Sequence, residues 1–501
     1  MATERSYNHI LISDLLNGLT AIDHDQEVSG IALDSRKVKA GDLFLACHGR
    51  NTDGSKFIND AILAGAVAIA IEADQQNELS AVHIPFFPVH DLSRQAGVIA
   101  ARFYGFPSRE MNVVGVTGTN GKTSVAYYVA QAFAEMGKSC GLVGTLGYGM
   151  FGKLEPGGAT TPDPVTLQCL LSQWHTEQIG HVVMEVSSHA LDQGRITGVK
   201  FDIGVLTNLS RDHLDYHVTM PSYANAKRIL FEDSSLKYAI VNLDDEFGRE
   251  LALTTKAINK IGYSINAGSG QQTAISIPTV FGKVLPADNH RSIINIESPW
   301  GQGRLETQLM AQFNVANLLA SLSILCVLDI PFNTALESLS RCGGVPGRME
   351  CFGGDATPLI VVDYAHSPDA LKQILIALRP LCRGRLVCVF GCGGERDKGK
   401  RSVMGKVAED YADDIVLTND NPRGEAPGAI IEDILAGIAN NKHVNVETDR
   451  ATAITQTIMN ADQGDIVVVA GKGHETCQEI AGRRYPFSDR ELVRRLAEEI
   501  Q

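Results

Sequence analysis

At 501 residues the chain exceeds what one hydrophobic core supports and predicts about three domains. Hydrophobic content of 44% with 20% charged residues is that of a globular protein and excludes a disordered one. Its 44 basic and 58 acidic residues leave a formal charge of −14, which argues against nonspecific affinity for nucleic acid or an anionic membrane, so any phosphate recognition must be local.

The longest apolar stretches, such as 62–71 and 466–470, fall short of the roughly 20 residues that a membrane span needs. Met1-Ala2-Thr3-Glu4-Arg5 lacks the basic region and apolar segment of a secretory signal, and the ten cysteines fit a reducing compartment; a cytoplasmic protein is expected. Cys388 and Cys392 have no second pair at zinc spacing, and Cys388 alternates with apolar residues, so it reads as a buried thiol and no metal-thiolate site is expected.

Residues 1–107 mix short strands with helices. Residues 30–36 read as a strand running into a polar turn, 41–46 as a turn and buried strand, 58–65 as a helix and 66–71 as a strand. Ser35 and Arg36 either meet a ligand phosphate or form a solvated surface pair. Phe106-Pro107-Ser108 marks the expected boundary.

The segment 108–344 opens on Val113-Val114-Gly115-Val116-Thr117-Gly118-Thr119-Asn120-Gly121-Lys122-Thr123-Ser124, a strand, a glycine-containing loop and a helix start. Backbone N–H groups at Gly118, Thr119, Asn120 and Gly121 can cradle phosphate, Lys122 can reach the outer phosphates, and the Thr123 hydroxyl can ligate Mg²⁺. The longer P-loop pattern requires a glycine at 116, where this chain has valine; only the shorter core is present.

Apolar runs follow at 141–146, 181–186 and 201–206, each ending in polar residues, which predicts a mostly parallel sheet with helices on both faces. In such sheets the ligand crevice lies outside the carboxyl ends of the strands. Glu185-Val186-Ser187-Ser188-His189, the loop 207–217 with two histidines and two aspartates, and Thr160-Thr161 should therefore converge near Lys122. Taken singly, Glu185 reads as a strand-end surface charge, Asp212 or Thr161 as a helix cap, and Lys227 as a solvated lysine on a helix face. An apolar helix is expected from Ala311 to about Leu328. The stretch 235–310 is less legible, with strand alternation only around 292–296.

Arg341-Cys342-Gly343-Gly344 reads as a hinge, and 345–501 restarts as a third α/β unit. Strands are expected at 360–363, 386–390, 415–418 and 466–470. The second of these enters the glycine-rich loop 391–400, which is not a dinucleotide fingerprint; the third enters Asn419-Asp420-Asn421-Pro422-Arg423, and the fourth Gly471-Lys472-Gly473-His474-Glu475.

Read together, Leu33-Asp34-Ser35-Arg36, the loop 118–123, Glu185-Val186-Ser187-Ser188-His189, the loop 207–217, Gly347-Arg348-Met349-Glu350, Asp363-Tyr364-Ala365-His366 and Asp420-Asn421-Pro422-Arg423 resemble, in order and over nearly the whole chain, the Mur ligase family. The family uses the same short phosphate loop. The resemblance implies an α/β protein of three domains: a small N-terminal α/β domain binding a UDP substrate (1–107), a central doubly wound P-loop domain binding ATP (108–344), and a Rossmann-like C-terminal domain binding an amino acid (345–501). It also implies ATP-dependent amide formation through an acyl phosphate, with Mg²⁺, in peptidoglycan precursor synthesis. Within the family the chain is similar to members that add a diamino acid to UDP-N-acetylmuramoyl-L-alanyl-D-glutamate.

Residue by residue, the resemblance assigns ATP to Gly118, Thr119, Asn120, Gly121, Lys122, Thr123, Asn317, Arg348 and Asp363. The UDP-muramoyl dipeptide falls to Leu33, Ser35, Arg50, Asn51, Thr52, Thr160, Thr161, Ser187, Gln193 and Arg195. Mg²⁺ falls to Thr123, Glu185, His213 and Lys227 as a carbamate, so that Lys122, Glu185, His213 and Lys227 form the implied catalytic set. The amino acid falls to Arg396, Asp420, Asn421, Pro422, Arg423, Gly471 and Glu475. Arg423 suits meso-diaminopimelate, whose far carboxylate it can take bidentately, whereas the lysine ammonium would be repelled. Lysine addition, a folylpolyglutamate-type ligase and a nucleotide-gated regulator are the alternatives; the 33–36 motif favours a UDP substrate over a folate. No nucleic acid or membrane partner and a monomeric state are expected.

Overall fold

A computed structural model describes residues 9–49, 52–74, 84–266, 275–285, 291–354 and 356–500. Arg50 and Asn51 lie outside the described residues.

Three main sheets follow one another along the chain, and among the described residues two two-stranded ones accompany them. The first is parallel, with strands Gly30–Ala32, Asp42–Ala46, Ala68–Glu72 and Phe86–Val89 in sequence order. Alternation splits its side chains: Leu43, Leu45, Ala68 and Ala70 meet the helix Leu92–Phe103, while Phe44, Ala46, Ile69 and Ile71 face the helix Ile58–Leu63. That first helix packs against the helix Pro164–Thr176 of the next unit.

The second sheet has eleven strands. Its parallel centre runs Gly141–Gly144, His181–Glu185, Asn112–Thr117, Ile203–Leu206, Tyr238–Asn242, Asn259–Ser264 and Thr279–Leu285. Antiparallel strands extend both edges: Gly147–Met150 and Lys153–Glu155 on one side, Ser292–Ser298 and Gly301–Thr307 on the other. The phosphate-loop strand sits between two parallel neighbours and is buried on both faces, which is why it reads as an unbroken apolar run. The helix Gln312–Val327 is apolar on all sides because it packs against both the sheet and the helix Lys122–Glu135.

The third sheet orders Glu350–Gly353, Leu359–Asp363, Ile466–Ala470, Leu386–Phe390, Asp414–Leu417 and Val444–Val446, parallel except for the first pair. Cys388 is fully buried in it, as its alternation implies. Among the described residues no helix is long and apolar enough to cross a membrane.

Candidate functional site

A cavity of about 680 Å³ lies beyond the carboxyl ends of the central parallel strands and is walled on its far side by the third sheet. Thr119, Asn120, Gly121, Lys122, Thr123, Thr160, Glu185, Ser187, Arg195, His213, Lys227 and Asn317 line it from the middle unit, and Arg348 and Asp363 from the C-terminal one. The loop can turn so tightly because Gly121 adopts φ +86°; a Cβ there would lie 2.5 Å from Asn317 Oδ1.

Glu185 is 1% exposed, so the surface-charge reading fails. Its carboxylate accepts from Thr145 N at 2.8 Å, Thr145 Oγ1 at 3.1 Å and Thr123 Oγ1 at 2.9 Å. Three short bonds fix it facing the loop, and Arg348 Nη2 donates to the same Thr123 hydroxyl at 3.1 Å. Lys122 Nζ donates to the Gly118 and Thr119 carbonyls, both at 2.9 Å. Burial pushes its ammonium below the ordinary lysine range while Glu185 and Asp212 oppose that shift.

The residue-level reading of Lys227 is also corrected. It lies on the helix Met220–Arg228 as expected, but at 1% exposure it points inward, over the Tyr223 ring, and donates to the Gly118 carbonyl at 2.7 Å. Burial, aided by repulsion from Lys122, pushes its pKa well below the usual value, which favours a neutral, nucleophilic amine. His213 lines the same cavity in a left-handed backbone conformation, its ring edge-on to His189. Burial holds His213 at about 3 and His189 at about 4, so both rings are neutral acceptors at pH 7.

The remaining calls divide. Thr161 Oγ1 bonds the Glu185 carbonyl at 2.8 Å, and Arg195 bridges the Thr161 carbonyl to Gln193 Oε1, so Thr160, Thr161, Ser187, Gln193 and Arg195 form one patch on the cavity's edge. Leu33 and Ser35 lie apart from that cavity, on the N-terminal sheet, where Arg36 pairs with Asp34 at 2.8 Å. Asp420, Asn421, Arg423, Gly471 and Glu475 follow the ends of the two strands that flank Leu386–Phe390 in the third sheet, outside the cavity lining. Asn421 Nδ2 donates to Glu475 Oε2 at 2.8 Å, and a Cβ on Gly471 would approach Asp420 Oδ2. Arg423 donates from Nη1 to the Gly394 carbonyl at 2.8 Å, and Arg396 is exposed on the loop beside it.

Three residues at the site carried no site assignment in the sequence, Asp212 among them having been read only as a helix cap. Thr145 holds Glu185. Asp212 lies 3.3 Å from both His366 Nε2 and His213 Nε2 and 3.6 Å from Lys400 Nζ; although burial alone would raise it, the His366 hydrogen bond and the charge of Lys400 help hold its carboxyl well below the usual range. Lys472, fully buried, donates to Asn421, Glu475 and the Cys477 carbonyl. Each follows a strand end or sits in a glycine-rich loop, the signal that flagged its neighbours.

A parallel-sheet phosphate loop, a buried carboxylate facing it and a second α/β unit closing over both define an ATP-using ligase fold. Family models match in three blocks: the Mur ligase family catalytic domain at 27–104, the Mur ligase middle domain at 116–325, and the Mur ligase glutamate ligase domain at 347–473. The chain belongs to the Mur ligase family of ATP-dependent amide ligases. It is 46% identical over 486 residues, 97% of this chain and 99% of the relative, to the UDP-N-acetylmuramoyl-L-alanyl-D-glutamate–2,6-diaminopimelate ligase of Coxiella burnetii. It is equally 46% identical to the Pseudomonas aeruginosa protein of that name, over 94% of this chain and 96% of that one. A solved structure of a ligase of the same name superposes with a TM-score of 0.67 at 33% identity, covering 98% of this chain and 99% of the other. The Thermotoga maritima MurF ligase in complex with ADP shares the fold at a TM-score of 0.66 and 19% identity, covering 94% and 98% of the two chains. The Mycobacterium tuberculosis folylpolyglutamate synthase shares it at 0.61 and 16%, covering 76% of this chain and 92% of that one.

Proposed function

We propose that this protein joins meso-diaminopimelate to the D-glutamate of UDP-N-acetylmuramoyl-L-alanyl-D-glutamate, at the expense of ATP. The observation that supports the reading is Arg423, which follows a strand end of the third sheet and whose guanidinium donates to the Gly394 carbonyl at 2.8 Å and lies 3.6 Å from Glu479 Oε2. A guanidinium there suits an acceptor with a second carboxylate and repels lysine. Names borne by relatives at 46% identity support the same substrates.

In this reading Gly118, Thr119, Asn120, Gly121, Lys122 and Thr123 cradle the triphosphate, with Asn317, Arg348 and Asp363 bordering the adenosine. The γ-phosphoryl group passes to the glutamate carboxylate, releasing ADP and leaving an acyl phosphate. The diaminopimelate amine attacks that carbonyl carbon, the C–N bond forms, the C–O bond to phosphate breaks, and the amine gives up a proton. Lys122 offsets the charge on the phosphates, and the patch from Thr160 to Arg195, with Leu33, Ser35, Arg50, Asn51 and Thr52, orients the UDP-linked donor. Asp420, Pro422, Gly471 and Arg396 complete the acceptor pocket. The units divide at 107/108 and 344/345, and Arg341 to Gly344 is the hinge of closure.

Mg²⁺ fits the donor chemistry. Thr123 Oγ1 and Glu185 Oε2 are hard oxygens 2.9 Å apart, and among the described residues no three-membered His, Cys, Asp or Glu cage is present, as suits an ion held largely through substrate phosphates. Bound there, it would neutralise charge on the phosphoryl oxygens. Lys227, whose burial favours the neutral amine, is suited to add CO₂ and become a carbamate, an anion lining the same cavity as His213 that suits a second ion. The reaction belongs in the cytoplasm, where its nucleotide substrates are.

The test is ADP formation by the purified protein with the UDP-dipeptide and a panel of amino acids. Turnover only with meso-diaminopimelate is expected; equal turnover with L-lysine would remove the assignment, and ADP release without either substrate would favour a regulator.

A further inference from the structure

Two loops from different units meet beside the cavity through adjacent residues of opposite charge. Arg211 makes a two-point contact with Asp397, Nε to Oδ2 at 3.2 Å and Nη2 to Oδ1 at 3.3 Å. One residue on, the polarity reverses: Asp212 takes Lys400 Nζ at 3.6 Å, with His366 Nε2 at 3.3 Å from a neighbouring loop of the same C-terminal unit. The contact is tightly fitted. A Cβ on Gly399 would collide with the Arg211 guanidinium and would lie 3.1 Å from Asp397 Oδ1, so the backbone at 399 lies against this pair.

The alternation fixes register. Sliding one loop past the other would set Arg211 toward Lys400 and Asp212 toward Asp397, and like charges repel. What the two loops carry gives the contact a role. The loop 207–217 holds His213, which lines the cavity together with Lys122 and Lys227. The loop 391–400 holds Arg396 of the acceptor set, next to Gly394, whose carbonyl takes Arg423 Nη1.

We propose that Arg211 and Asp397 are positioning residues for ligation: their ion pair, in register with Asp212 and Lys400, docks the acceptor-binding loop onto the phosphoryl-transfer loop. The pair aims the incoming amine at the acyl phosphate without touching either. This rests on the function proposed above for the acceptor loop, but the docking itself is a property of the fold.

The test is a double-mutant cycle with Arg211→Ala and Asp397→Asn. Asparagine keeps the carbonyl oxygen that accepts from Gly399 N at 2.9 Å, so the loop's own turn survives while the charge goes. Each single variant should raise KM for diaminopimelate about tenfold, with KM for ATP within about twofold, and the double variant should be no worse than either single one. High salt should raise the wild-type KM for diaminopimelate more steeply than that of Arg211→Ala, which keeps only the salt dependence of the acceptor's own ionic contacts. Additive effects, an unchanged KM for diaminopimelate, or an equal loss of ATP affinity would overturn the proposal. Hydrogen exchange without substrates separates it from the functional reading: Arg211→Ala should speed exchange of amides in 391–400. If the wild type forms no product but that acceleration appears, the acceptor assignment fails and the docking stands; unchanged exchange overturns the docking.

Discussion

Lys472 is the residue whose replacement most directly probes the acceptor site. Its ammonium, wholly buried, donates to Asn421 Oδ1 at 3.0 Å and to Glu475 Oε2 and the Cys477 carbonyl at 2.7 Å each. Lys472→Met keeps the unbranched stem and removes the charge with all three donors. Asn421 Oδ1 retains the Glu479 N–H at 2.9 Å and is not orphaned. Glu475 loses its cation, and stripping one partner from a buried pair costs about 3–5 kcal/mol. Because the Glu475 side chain is 28% exposed, water recovers part of that, and a net loss of about 2–3 kcal/mol is expected. Urea unfolding reads this term. The functional term is separate: Asn421 and Glu475 lose the anchor that orients them, so KM for diaminopimelate should rise about tenfold or more while KM for ATP stays within about twofold. A variant that loses stability on this scale but keeps its KM for diaminopimelate would refute the positioning argument and leave Lys472 a purely structural cation.

Other perturbations test other parts of the site. Glu185→Gln preserves shape and one acceptor oxygen for Thr145 N, with the Thr123 and Thr145 hydroxyls free to turn and accept from the new amide, but removes the charge facing Thr123; kcat should fall by about a hundredfold or more with the melting temperature little changed, and near-normal turnover would exclude Glu185 from metal binding. Arg423→Ala should raise KM for diaminopimelate without changing ATP binding, and unchanged kinetics would remove its specificity role. Val218, a β-branched residue at φ +67° in a turn closed by Thr219 N to the His217 carbonyl at 2.7 Å, is strained and 75% exposed. Val218→Gly should therefore stabilise by about 1 kcal/mol, the strain released outweighing the glycine entropy; a lower melting temperature would contradict this. Burial lowers the folded-state values of His213 and His474 to about 3 and His189 to about 4. Between those values and the ordinary 6.5 the unfolded chain binds more protons, so stability should fall as pH drops from about 6.5 toward 4, with a further acid loss as Asp212 is protonated. Urea midpoints that stay level or rise from pH 7 to pH 5 would show that folding does not lower the proton affinity of these rings.

What could be read before folding were features that a few consecutive residues specify. The strand-loop-helix from Asn112 to Glu135 is written in an apolar run, two glycines and Lys-Thr, and the family order of seven short motifs is a property of the chain alone. Strands buried on both faces, such as Leu386–Phe390 and Ile466–Ala470, declare themselves as continuous apolar runs. The strand Thr279–Leu285 and the edge strand Gly301–Thr307 did not, because alternating exposed residues dilute their signal and a polar strand resembles a loop.

Partnership could not be read, because hydrogen bonds and burial join residues that local pattern keeps apart. Thr123 meets Arg348 across 225 positions, and Asn120 Nδ2 meets Asp369 at 3.2 Å across 249. Lys227 has the sequence surroundings of a solvated helix lysine; only the packing of its helix against the phosphate loop removes water from its amine and changes its chemistry. The chain alone thus fixed the elements and the residue types that phosphate and carboxylate chemistry demands. The tertiary structure decided which of those groups lose their solvent and which charges face one another, since desolvation and Coulomb attraction depend on distance in space and not along the backbone.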